Sequence, residues 1–132
     1  MHPSGQRIGS SMLIRDIRNG SYARAKDRSV LCELLHPAHE PECTNRCSLA
    51  HAVVPAGEAT LPHRLNTSSE TYYILAGEGQ MHIGDESAPV REGQVVSIPA
   101  GATQWIENTG EGDLVILAIV DPMWSEEDEE IL

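Results

Sequence analysis

Between residues 48 and 120 the chain is cut into short runs, none longer than seven residues, each ended by glycine, proline or asparagine. Residues 48–54 stop at Pro55-Ala56-Gly57, and residues 60–65 and 70–75 lead to the turn Ala76-Gly77-Glu78-Gly79. Residues 80–83 end at Gly84-Asp85, residues 94–98 at Pro99-Ala100-Gly101, residues 104–107 at Asn108-Thr109-Gly110, and residues 114–120 at Asp121-Pro122. Runs this short cannot make packed helices of ordinary length, whereas they suit strands that reverse at each turn. The pattern predicts an all-β sandwich or barrel over residues 48–120.

The flanks read differently. Residues 1–11 are small and polar and are expected to be a flexible leader. Residues 12–47 hold two further strand candidates, at 12–17 and 29–35, then a loop at 36–46 that contains Pro37 and Pro41. Residues 121–132 form an acidic tail. Ser125 with Glu126, Glu127 and Asp128 suits the capped first turn of a short helix, with Trp124 anchoring it on the barrel.

Acidic residues outnumber basic ones 20 to 9, for a formal net charge of −11 and a pI near 4.8. Phosphate backbones and anionic lipids need clustered Lys and Arg, so neither nucleic acid nor membrane is an expected partner. Part of the acidity is the run at 126–130, which reads as a solvated face. No apolar stretch approaches the roughly 20 residues of a membrane span. With Cys32, Cys43 and Cys47 an odd set and no apolar segment behind a basic start, a cytoplasmic protein with free thiols is expected. No Phe is present, so the core must be aliphatic.

Two segments carry a definite spacing. Gly57 is followed after five residues by His63-Arg64-Leu65, after four more by Glu70, and after six more by Gly77. Gly93 is followed after five residues by Pro99-Ala100-Gly101, after two more by Gln104, and after three more by Asn108. This pairing resembles the two motifs of the cupin superfamily, G-x5-H-x-H-x(3,4)-E-x6-G and G-x5-P-x-G-x2-H-x3-N. The resemblance implies a cupin double-stranded β-helix, or jelly-roll barrel, of the small single-domain RmlC-like type, with polar motif residues meeting inside it around a divalent metal.

Two motif histidines are replaced, by Leu65 and Gln104. The resemblance therefore implies His63, Glu70 and Gln104 as the metal ligands, an N/O set open to Mn, Fe, Ni or Zn. The competing reading is a metal-free barrel in which His63 and Glu70 bond each other. His51, in phase with Leu49 and Val53, is a candidate replacement ligand or general base, against a role as a core histidine. Tyr72 shares the parity of Glu70 and is a candidate proton donor or substrate-orienting group, against plain packing. Cys43 and Cys47 are spaced C-x3-C without a second pair, so with His36 and His39 they make a poor zinc site. His82 is expected on the outer surface.

Cupins include dioxygenases, isomerases, decarboxylases and non-catalytic binding modules. The expected function is binding of a divalent metal and a small oxygen-rich molecule, as in a metal-dependent dioxygenase- or isomerase-like enzyme. The alternative is a metal-free, non-catalytic ligand-binding or structural cupin. Small cupins pair, so a homodimer is expected.

Overall fold

In the computed structural model residues 12–132 are described in full and residues 5–8 as backbone. Gly5–Ile8 (β1) pairs antiparallel with Met12–Arg15 (β2) as a separate hairpin. The rest of the leader expected at 1–11 lies outside the described residues.

The barrel is two facing antiparallel sheets. The first runs, in spatial order, Val95–Ile98 (β10), Ser69–Ala76 (β7), Leu114–Asp121 (β12), Ser48–Val54 (β5), Val30–Leu35 (β4) and Ala23–Arg24 (β3). The second runs Glu129–Ile131 (β13), His63–Leu65 (β6), Gln104–Asn108 (β11), Glu78–Ile83 (β8) and Glu86–Arg91 (β9). Among the described residues no helix is long and apolar enough to cross a membrane.

Strand alternation sets the core. Ile74, Ile98, Ile106 and Leu114 are almost fully buried between the sheets, together with Val54, Met81 and Ile116. Burying each such side chain contributes about 1.5–3 kcal/mol, which is how a core without Phe holds two sheets together. Asn108 closes the β11–β12 end by donating from Nδ2 to the carbonyls of Val54 and Gly112, while its Oδ1 accepts from the Gly110 amide. Gly77 sits at φ +89°, and a Cβ there would come 2.5 Å from the Asp113 carbonyl oxygen. Only glycine fits that crossing.

Two expectations are corrected. The tail forms no helix: Ser125 and Glu126 accept backbone bonds from Asp128 and Glu129 in one turn, and β13 then pairs with β6. Asp128 accepts from the Thr67 amide and hydroxyl and from the Ser68 amide, which spends the capping carboxylate on the β6–β7 loop. Trp124 does anchor the tail, its amide donating to Ser48 Oγ. The second is one of degree: His82 faces outward as expected, opposite Met81 and Ile83, but is partly covered there by stacking on Trp105 at 3.6 Å.

The outer side of the first sheet bears on His51. Cys32, His51, Leu117, Tyr73 and Val95 form one row across β4, β5, β12, β7 and β10, with no carboxylate among them. His51 thus points away from the barrel interior, where Ala52 and Val54 take the inward positions. The apolar phase it shares with Leu49 and Val53 belongs to the outer face, which explains the misplacement.

Candidate metal centre

β6 and β11 are neighbours, and Gln104 lies directly across from His63. Both side chains enter the barrel and are 2 % exposed or less. His63 Nδ1–H donates to the Leu61 carbonyl at 2.7 Å, an acceptor that fixes where the proton sits in the neutral ring. In the neutral ring Nε2 then carries the lone pair. Among the described residues it makes no hydrogen bond, and its nearest carboxylate oxygens are Asp27 Oδ2 at 3.7 Å and Glu129 Oε2 at 4.0 Å.

Those two acids come from outside the motifs. Asp27 lies in the β3–β4 turn, where its Oδ1 accepts from the Ser29 amide at 3.0 Å and hydroxyl at 2.7 Å, with Arg28 at φ +80°. Glu129 begins β13, opposite Leu65, and its Oε1 accepts from Trp124 Nε1 at 3.0 Å. Each carboxylate thus has one oxygen fixed by the protein and the other directed toward His63. Asp27, His63 and Glu129 bring one ligand atom each within 4.8 Å of one another.

Glu70 and Gln104 meet as the motifs implied, but in a hydrogen-bonded chain. Tyr72 Oη donates to Gln104 Oε1 at 3.2 Å, and Gln104 Nε2 donates to Glu70 Oε1 at 3.0 Å. Burial pushes the Glu70 carboxyl up to about 8, against the Gln104 hydrogen bond that favours its ionised form; the charges of Asp27 and Glu129 add to the rise. Glu129 is raised by burial and by Asp27. The Tyr72 phenol is raised by burial, then by Glu70, Asp27 and Glu129.

Asp27, His63, Leu65, Glu70 and Glu129 line one cavity of about 320 Å³, closed on another side by Glu33, His36 and Trp124. His51 is not among its lining residues; its Nδ1 shares a 2.8 Å hydrogen bond with Tyr22 Oη, and burial lowers its basicity. Cys43 and Cys47 are free thiols, and Cys43 Sγ bonds Asn45. Glu33, His36 and His39 also cluster, yet His36 is fully engaged: Nδ1 accepts from the Ala38 amide and Nε2 bonds the Trp124 carbonyl.

The donor chemistry fits a divalent cation. A neutral imidazole nitrogen and two carboxylates balance a double positive charge, and buried carboxylates without a counter-charge are costly. Asp27 and Glu129 escaped the sequence reading because no spacing links them to the motifs. The only available signal was Trp124, which ties the tail to the barrel.

Comparison with known proteins agrees with this architecture. The model of the Cupin domain family matches residues 50–120. An uncharacterized protein of Methanocaldococcus jannaschii is 44% identical over 107 residues, covering 81% of this chain and 84% of that protein. The oxalate-binding protein of Thermotoga maritima is 34% identical over 89 residues, covering 67% and 74% respectively. A crystal structure from Thermotoga maritima described as a predicted oxalate decarboxylase superposes with a TM-score of 0.71 at 26% identity, covering 81% of this chain and 96% of that one.

Proposed function

The chain belongs to the cupin family, and from that premise we propose that it holds a divalent metal in its barrel and binds a small oxygen-rich acid there. The observation that carries this is His63 Nε2, a buried ring nitrogen facing carboxylate oxygens inside a cavity of about 320 Å³. Asp27 and Glu129 would repel an anion from that cavity, so entry of an acid calls for a cation there first. A divalent metal would supply a Lewis-acidic anchor for the acid's oxygens. The names of the Thermotoga maritima relatives support oxalate as the first acid to try.

The motif positions give the first version of the donor set, His63, Glu70 and Gln104. Tyr72, Gln104 and Glu70 favour a second reading, that the bound acid is also turned over. Their chain ends at a carboxyl that keeps its proton to about 8 beside the cavity, a proton source for a carbanion-like or alkoxide-like product. The assembly we propose is a homodimer through the carboxylate-free outer row around Leu117, Tyr73 and Val95, the face on which two copies of charge −11 can approach.

Metal content of the purified full chain, before and after loading with Mn, Fe, Ni or Zn, followed by oxalate titration, tests the reading. One equivalent of metal and metal-dependent oxalate binding are expected. Leu65→His, which adds an imidazole to the cavity wall, should raise the metal's hold. If none of the four metals binds or raises the melting temperature, the reading fails. A monomer mass by light scattering at micromolar concentration would overturn the dimer.

A further inference from the structure

We propose that the cation is held by His63 together with Asp27 and Glu129, so that the two segments flanking the barrel, and not motif positions 65, 70 and 104, complete the metal centre. This rests on the reading that the cavity binds a divalent metal. At the motif positions little donor capacity is left. Leu65 has none, Gln104 is engaged at both ends of its amide, and one oxygen of Glu70 already accepts from Gln104.

The flanking carboxylates are in the opposite condition. Asp27 Oδ1 and Glu129 Oε1 are held by Ser29 and Trp124, which fixes how each carboxylate is turned. Their other oxygens lie nearest to His63 Nε2, at 3.7 and 4.0 Å. Donors bonded to one metal at about 2.0–2.2 Å sit about 3–3.6 Å from each other, so each oxygen needs to approach His63 Nε2 by only a few tenths of an ångström, and all three atoms already lie within 4.8 Å of one another. His63 is 2 % exposed and its Nε2 has no other partner, so the imidazole is already aimed at the site. Its ring is also supported from behind by the Leu61 carbonyl, the second partner that metal-binding histidines need. One nitrogen and two hard oxygens favour Mn, Fe or Zn over soft cations.

The location has a structural consequence. Asp27 belongs to the β3–β4 turn and Glu129 to β13, so a shared cation would pin the last strand to the first sheet. Lys26 already makes part of that link, its Nζ donating to the carbonyls of Glu126 and Glu129.

The test is calorimetric titration of the metal-stripped full chain with Mn²⁺ and with Zn²⁺, in wild type and four variants. Asp27→Asn and Glu129→Gln should each weaken binding at least tenfold, about the loss caused by removing even a residue that merely supports a ligand. Glu70→Gln and Gln104→Leu should change it less than about threefold. Hydrogen exchange on the wild type gives a second readout that needs no variant: metal should slow exchange of the Glu129–Ile131 amides. Wild-type binding lost in Glu70→Gln but kept in Asp27→Asn and Glu129→Gln overturns the proposal while leaving the metal-binding function intact. So does metal binding without added protection of β13. If the wild type binds neither of these ions, nor Fe or Ni, the underlying function fails.

Discussion

His63 and Asp27 line the same cavity, but they reach it by different routes. His63 is delivered by a barrel strand whose length, turns and inward phase are fixed by glycines, a proline and strict alternation. Asp27 is delivered by a turn held by Ser29 and by an arginine at φ +80°. Glu129 likewise depends on a turn, on Trp124 and on Asp128. The barrel therefore supplies a rigid wall bearing a single inward imidazole, and the flanks supply charge through a few side-chain hydrogen bonds. Such a division lets the charge of the cavity change without disturbing the fold that contains it.

The largest effect should come from the barrel. Gly77→Ala places a Cβ against the Asp113 carbonyl in a left-handed backbone conformation and should cost about 3 kcal/mol, read as a lower urea midpoint for the whole molecule. If only the flanks loosened, the two regions would not be separable in this way.

Next comes the pH response of the metal-free protein. A carboxyl raised in the folded state binds its proton more tightly folded than unfolded. Between its ordinary 4.5 and about 8, Glu70 thus makes the folded state hold more protons, and stability falls as pH rises through that window. Glu129, also raised, adds to the fall with the same sign. The melting temperature should drop from acid toward neutral and mildly alkaline pH, and Glu70→Gln should flatten much of the slope. A stability rising over that range would contradict the burial of Glu70.

The smallest effect belongs to the tail. Asp128→Ala removes three hydrogen bonds to Thr67 and Ser68 and should cost about 1 kcal/mol. Faster amide exchange should be confined to Glu129–Ile131, with the barrel amides unchanged. Spread of the exchange into β11 would mean that the tail is part of the barrel's cooperative unit.

The same division decides what could be read in advance. The sheet strands β4, β5, β6, β7, β8, β10, β11 and β12 lie where their apolar runs and turns placed them, β8 starting two residues early, because alternation and glycine spacing are local signals. β9 was missed because Glu86–Arg91 contains a proline and is mostly exposed, as an edge strand can be. β13 was missed because an acidic run reads as solvated until something shows which of its members turn inward. His51 was assigned to the wrong face: a sheet with an apolar outer side offers two apolar phases, and sequence cannot rank them. That Glu70 and Gln104 meet inside the barrel, with His63 on the strand beside Gln104, was legible from the motifs. The approach of Asp27 and Glu129 to His63 was not, since it brings together segments about a hundred positions apart.

The turn that carries Glu129 also exposes Glu126 and Glu127, and Lys26 of the cavity lining bonds the Glu126 carbonyl. For the cation proposed above, these two would act on arrival and the inner donors on escape. An exposed acidic rim attracts small dications over a distance set by the Debye length, about 10 Å at 0.1 M salt, so capture slows as salt is raised. Release depends on bonds in a cavity that salt screens far less. The rate at which a cation is taken up should therefore follow ionic strength, while its residence time stays nearly constant.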